Sequence, residues 1–170
     1  EAKAKIEQHF KNLTSLSYQD STKAKFETYN FTAENSNNET LYIQVTKIGG
    51  HILTVSGAGK SGATTVTEEN AKKIALDFAK NNGVENGQVV WSDSLYEDLY
   101  LNIAPVQNGI VLYPDLVKVK IDMTSGTVVG YDATTYFTNH TARSLSKGTL
   151  TKAEAEDKVA SSFKIIQSRI

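Results

Sequence analysis

The sequence predicts an α+β protein of tandem units, each a helix packed on an antiparallel sheet. Three observations predict it. Apolar residues recur at three/four spacing in three separate stretches. Between them the period falls to two. The order helix, strands, Gly-containing hairpin occurs twice, and a third copy begins with its helix.

The first helical stripe is Ala2, Ile6, Phe10. It starts at Glu1 with no capping residue before it, which reads as an internal segment of a longer protein. The second stripe runs through Ala71, Ile74, Ala75, Phe78 and Ala79. Thr67 can accept a bond from a free N–H of its first turn, Glu68 and Glu69 favour the positive end of its dipole, and Asn81-Asn82-Gly83 stops it. The third carries Ala155, Val159, Phe163, Ile166 and Ile170 behind Thr151-Lys152-Ala153-Glu154, a capping-box pattern.

Strands follow from alternation. Leu41, Ile43 and Val45 alternate with Tyr42, Gln44 and Thr46; Leu99, Leu101 and Ile103 with Tyr100 and Asn102; Val117, Val119 and Ile121 with Lys118 and Lys120. One wet face per strand is the mark of antiparallel sheets. Turns are expected at Gly49-Gly50, Asn108-Gly109 and Thr124-Ser125-Gly126. Residues 25–34 read as a strand whose aromatics change parity, so a bulge or a twist is expected there. Residues 57–62 and 141–148 are Gly/Ser-rich or polar and read as linkers.

The spacing Ala2-x3-Ile6-x3-Phe10 returns at Ala155-x3-Val159-x3-Phe163. Leu41-x-Ile43-x-Val45, Gly50 and Ile52 return as Val117-x-Val119-x-Ile121, Gly126 and Val128. The expected division is a first unit over 1–62, a second over 63–148, and the helix of a third, truncated unit over 149–170.

Composition narrows the function. With 18 Lys+Arg against 19 Asp+Glu there is no basic excess to neutralise phosphates, which argues against nucleic-acid binding. Arginine is scarce, only Arg143 and Arg169, which argues against carboxylate or phosphate clamps. Without cysteine there is neither disulfide nor thiolate metal site. No apolar run reaches ~18 residues, so any membrane anchor or targeting signal is expected outside this segment.

No catalytic or metal grouping emerges. His9, His51 and His140 share no ligand spacing and read as surface or turn histidines. Asp93, Glu97 and Asp98 could suggest a glycosidase pair, but such a pair needs one buried acid, and these flank Leu95-Tyr96 in a loop or strand end. Asp122 reads as a turn-shaping residue. Gly57-Ala-Gly-Lys60-Ser61 lacks the first glycine of a phosphate loop, since residue 54 is Thr. Catalytic residues, cofactor and metal are therefore all expected to be none. Aromatic residues concentrate in the second unit, and Tyr96, Tyr100 and Tyr113 are the candidate partner contacts.

The run from Val66 to Ala75, followed by Val117-Lys-Val-Lys-Ile-Asp-Met-Thr-Ser-Gly-Thr-Val-Val-Gly-Tyr131, resembles a PepSY domain. In that family a helix precedes strands closing on an Asp-x-x-(Thr/Ser)-Gly-x-Val/Ile hairpin, here Asp122 to Val128. Tyr113-Pro-Asp-Leu-Val-Lys-Val-Lys, Gly130-Tyr-Asp-Ala-Thr-Thr-Tyr-Phe-Thr-Asn-His140 and Trp91-Ser-Asp-Ser-Leu-Tyr-Glu-Asp resemble the C-terminal region of the YpeB family of spore germination proteins. The likeness is clearest over 64–170 and looser in the first unit, whose hairpin Ile48-Gly-Gly-His lacks the Asp and the Thr/Ser-Gly. The resemblance implies a non-enzymatic endospore protein lying outside the inner spore membrane, anchored through a segment not present here. It implies as partner the cortex-lytic enzyme SleB, a peptidoglycan hydrolase. It leaves as alternatives an inhibitor-like module acting on a secreted peptidase and a direct peptidoglycan-binding or structural module.

The third helix carries one further expectation. Val159, Phe163, Ile166 and Ile170 would be wet on a lone helix, and burying each is worth roughly 1.5–3 kcal/mol. It should pack on the second unit, pack on another chain as a homo-oligomer contact, or be disordered. Amide hydrogen exchange separates these outcomes: slow exchange at 159–166 means a docked helix, and concentration-dependent protection means docking on a second copy.

Overall fold

The computed structural model describes residues 1–36, 38–146 and 148–158. Helix α1, Ala2–His9, leads into four strands: β1 Leu13–Lys23, β2 Glu27–Asn35, β3 Thr40–Thr46 and β4 Ile52–Gly57. Helix α2, Glu68–Asn81, leads into β5 Gly87–Leu95, β6 Asp98–Gln107, the two-residue β7 Ile110–Val111, β8 Val117–Asp122 and β9 Val128–Asp132. Short helices α3, Thr134–Asn139, and α4, Lys152–Asp157, follow. Every strand pairing is antiparallel. This is the expected α+β architecture.

The main path of the sheet runs β1-β2-β3-β4-β9-β8-β6-β5, with β7 attached to β6. The order is palindromic: each four-strand run ends at the centre, and β4 of the first pairs with β9 of the second. The alternation places the core. Leu41, Ile43, Val45, Val55, Tyr131, Val119, Leu101 and Ile103 lie on the face that packs Ala71, Ala75 and Phe78 of α2 and Ile6 of α1. Phe78 meets Phe10 and Tyr131 edge-on at 5.5 and 4.9 Å between ring centres. One core therefore runs under both helices.

The caps behave as their chemistry requires. Thr67 Oγ1 accepts from Asn70 N at 3.3 Å. Gly83 follows α2 at φ +94°, where a side chain would be strained. Thr151 and Glu154 form both bonds of a capping box. The apolar stripe expected on the third helix at Val159, Phe163, Ile166 and Ile170 lies outside the described residues.

Four features depart from expectation. Strands β1 and β5, at the two sheet edges, carry few buried side chains, so neither shows the clean alternation that marks the central strands. The irregularities sit not in β2 but in β1, where Thr14 is extra between the pairs Leu13–Asn35 and Ser15–Glu34, and Gln19 between Tyr18–Phe31 and Asp20–Asn30. The supposed flexible linker at 57–62 is pinned: Lys60 N donates to Asp122 Oδ2 at 3.2 Å, and Thr124 Oγ1 donates to Lys60 O at 3.1 Å. Its glycines serve close approach, since a Cβ on Gly59 would stand 2.6 Å from Asp98 Oδ1. The polar stretch after α3 is likewise tied down by Arg143, described below.

At the centre, Asn82 closes the end of α2 onto β4. It is fully buried. Its Oδ1 accepts from Ile52 N at 2.7 Å, and its Nδ2 donates to Ile52 O at 2.6 Å and to Tyr131 Oη at 3.0 Å. A side-chain amide thus satisfies both backbone groups of a residue 30 positions earlier. Asn82→Ala removes these partners and leaves a buried N–H and C=O unsatisfied. It should cost about 2–4 kcal/mol, measured by urea unfolding; a loss within experimental error would mean the bonds contribute nothing.

Candidate functional site

The hairpin joining β5 and β6 is the most projecting aromatic feature of the second half. Leu95 pairs with Asp98, which leaves a two-residue turn of Tyr96 and Glu97. Tyr96 has φ +55°, costly for an aromatic residue, and is 91% exposed. Leu95 is exposed beside it, while Trp91, also exposed, pairs with Asn102 toward the other end of β5. Tyr96 and Leu95 form an apolar corner on an edge strand.

The three candidate tyrosines are not gathered into one patch. Tyr100 lies on the sheet face turned away from the helices, paired with Asp93 on one side and Lys120 on the other. The Lys120 ammonium stands 6.0 Å from its ring centre, a cation–π distance. Tyr113 is exposed on the 3-10 turn Tyr113–Asp115 that precedes β8. Tyr96 lies beyond the Asp98 end of β6, whereas β8 begins opposite Ile103. Five residues of strand, about 17 Å, separate those ends.

Asp115 forms the most completely enclosed ion pair. Its side chain is fully buried. Arg143 Nη1 and Nη2 donate to its two oxygens at 2.6 and 2.7 Å, and His140 Nδ1 lies 2.8 Å from Oδ2. The His140 ring stacks on Tyr136 at 4.5 Å, and Arg143 also donates to Asn139 O. The bidentate guanidinium holds the Asp115 carboxyl below the usual carboxylate range, against the opposing effect of burial and with help from His140. This clamp fastens α3 and the chain after it to the turn before β8. The scarcity of arginine argues against such clamps, yet one of the two arginines makes one. A 28-residue separation leaves no local pattern by which to find it.

A second buried hub joins the two halves. Asp122 is fully buried, as the turn-shaping role expects. Its Oδ1 accepts from Thr124 N at 2.8 Å, and Ser125 Oγ donates to Oδ2 at 2.7 Å. Ser125 Oγ also lies 2.9 Å from Oε1 of buried Glu39 in the first half. Burial alone would raise the Asp122 pKa, but bonding with Glu39, Ser125 and the backbone of Thr124 and Lys60 lowers it.

The remaining candidates are structural in their contacts. Asp98 pairs with Lys120 at 3.3 Å, while Asp93 is exposed. His9 donates from Nδ1 to Lys5 O and packs edge-on against Phe78; burial lowers its pKa. His51 lies 4.7 Å from the Phe137 ring, with Nδ1 at 3.1 Å from Asn82 O. Among the described residues no three His, Cys, Asp or Glu side chains are placed to hold a metal ion. Nor is any described helix long and apolar enough to cross a membrane.

The chain and its fold have relatives. A family profile described as YpeB sporulation, PepSY1 and PepSY2 domains matches residues 1–146. The sporulation protein YpeB of Bacillus subtilis (strain 168) is 27% identical over 132 residues, covering 76% of this chain and 29% of that protein. That of Halalkalibacterium halodurans is 28% identical over 134 residues, with the same coverage. The chain thus spans about three-tenths of these curated relatives. The solved Bacillus megaterium YpeB C-terminal domain shares the fold, with a TM-score of 0.79 at 24% identity over 99% of this chain and 76% of that one.

The Asp115 clamp makes a pH prediction. Its folded pKa lies below the ordinary 3.8, so its contribution to stability is present above that value and is lost as pH falls through the lower folded value. Arg143→Gln removes the clamp. The stability gap between this variant and the native chain should be widest at neutral pH and shrink below about 3.8. Denaturant unfolding at several pH values measures it, and a gap independent of pH would contradict the assignment.

Proposed function

This chain belongs to the YpeB sporulation family, and on that premise we propose that it is a non-catalytic module that binds a cortex-lytic peptidoglycan hydrolase of the SleB type. The observation that carries this reading is the β5–β6 corner. Tyr96 is 91% exposed at the hairpin tip, with Leu95 exposed beside it and Trp91 exposed further along β5. Rigid exposed aromatics are what partners bury as energetic anchors. Strand β5 also lies at the end of the sheet path, where a partner strand can add to the ladder.

The buried acids favour binding over catalysis. Asp115 is neutralised by Arg143, and Asp122 is bonded into its own turn and to Glu39. A general acid needs a carboxyl held ready for a substrate proton, and these are engaged by the fold. The same family membership supports an endospore role, outside the inner spore membrane.

Tyr96, Tyr100 and Tyr113 remain the proposed contacts, with Tyr96 as anchor. Tyr113 joins only if the partner spans the length of β6. Affinity for purified hydrolase, measured by titration calorimetry, tests this. Trp91→Ala combined with Tyr96→Ala should weaken binding about tenfold or more, Tyr100→Ala less so. Unchanged affinity in the double variant and in Tyr113→Ala would sink the proposal.

A further inference from the structure

The two halves repeat residue by residue around the β3–β4 and β8–β9 hairpins. Thr46 N donates to His51 O at 2.8 Å, as Asp122 N does to Thr127 O at 3.0 Å. Lys47 N donates to Glu27 O, and Met123 N to Glu97 O, both at 2.8 Å. Tyr29 pairs with Val45 as Leu99 pairs with Ile121. Gly50 and Gly126 both hold positive φ, +63° and +76°. On the helices, Ile6 and Phe10 are buried as Ala75 and Ala79 are. Lys47 thus corresponds to Met123, Gly50 to Gly126, and Ala2 to Ala71.

What covers the hairpin differs between the halves. In the second, the chain ahead of α2 lies on it. Thr65 N and Val66 N both donate to Met123 O, at 3.0 and 3.1 Å, and Thr65 Oγ1 donates to Thr124 O at 2.7 Å. Val66 packs on the core, and its Cγ2 lies 3.4 Å from where a Cβ of Gly126 would stand. In the first half the same place is open. A Cβ on Gly50 would have no neighbour within 4 Å. Lys47 O accepts no hydrogen bond among the described residues. A groove of about 360 Å³ lies there, its lining including Glu1, Ala2, Lys5, Tyr29, Lys47 and Gly50. A second, of about 520 Å³, flanks Tyr29 on the side of Tyr18. Tyr29 is 38% exposed where its counterpart Leu99 is fully buried, and Ile48 is 90% exposed at the hairpin tip.

Val66 stands five residues ahead of Ala71, so its counterpart stands five ahead of Ala2, upstream of Glu1. The matched stretch is 29% of the length of the curated relatives, which leaves chain outside it to supply such a segment. We propose that this groove binds the protein's own chain directly upstream of Glu1, in extended form, with a backbone N–H on Lys47 O and an apolar side chain against Gly50 and Tyr29. The backbone donor satisfies the open carbonyl, and the apolar side chain takes the Tyr29 ring out of water. Attachment to α1 favours this occupant over a separate peptide, because the covalent link holds it at high effective concentration. The rim is mixed in sign, with Glu1 beside Lys5 and with Lys47 paired to Glu27 at 3.3 Å, so charge selects no other partner. The groove shares no residue with the β5–β6 corner and does not rest on the hydrolase reading.

The chain has no cysteine, so a single introduced thiol reports on the groove. The rate of maleimide labelling of Lys47→Cys is compared in three forms. These are the 170-residue chain, the same chain lengthened by about ten native upstream residues, enough to pass the hairpin, and the full-length protein. Met123, the counterpart of Lys47, is buried, so labelling should be about tenfold slower or more in both longer forms. Asp at the residue five ahead of Ala2 in the lengthened chain should restore fast labelling. Ile48→Cys, on the exposed tip, repeats the comparison if Lys47→Cys does not fold, and melting curves check each variant. Equal labelling of the 170-residue and lengthened chains would overturn the proposal. Slowing confined to the full-length protein would overturn it too, since another part of the chain would then cover the groove.

Discussion

Strands β4 and β9 meet over only three residue pairs, Thr54–Asp132, Val55–Tyr131 and Ser56–Gly130, and the junction between the two halves rests on this seam. A ladder this short is weak alone. It is reinforced on the helix face by Asn82, which bonds Ile52 and Tyr131 at once, and by Ala133 N donating to Leu53 O at 3.0 Å. On its other flank Lys120 Nζ reaches Gly57 O, and Ser125 reaches Glu39. Buried polar groups of this kind stabilise only while all are satisfied. The seam therefore holds as a set.

The seam also determines which surfaces are available. Joining the two halves through their last strands places the most apolar strands at the centre and the most exposed, β1 and β5, at the edges. Both long helices then lie on one face, leaving the other bare. The polar-faced edge and the bulge at Gln19 limit indiscriminate pairing along β1. The β5–β6 hairpin instead presents Tyr96 and Leu95 outward. The exposed corner and the bare sheet face are thus different products of one topology.

The sequence made the central strands and the longest helix legible because burial imposes a period on them. Leu41–Val45, Leu99–Ile103 and Val117–Ile121 each have one face in the core, so alternation had to appear. Strands β1 and β5 left no such trace, and α3, only six residues long, shows no full stripe. Gly57 to Gly62 looked flexible because composition does not distinguish freedom from close approach; only the positions of Asp98 and Asp122 do. The candidate site was least legible. Tyr96, Tyr100 and Tyr113 could be named as aromatics but not ranked by exposure, which depends on the β5–β6 register, and the Asp115–Arg143 clamp needs the fold itself.

The central claim is that the two halves are one cooperative body. Trp91 is the single tryptophan and lies in the second half, whereas far-ultraviolet circular dichroism reports both. Urea unfolding followed by Trp91 fluorescence and by circular dichroism tests the claim directly. The seam predicts coincident transitions with one midpoint. A dichroism loss that precedes any change at Trp91 would show the first half melting on its own and would contradict the account.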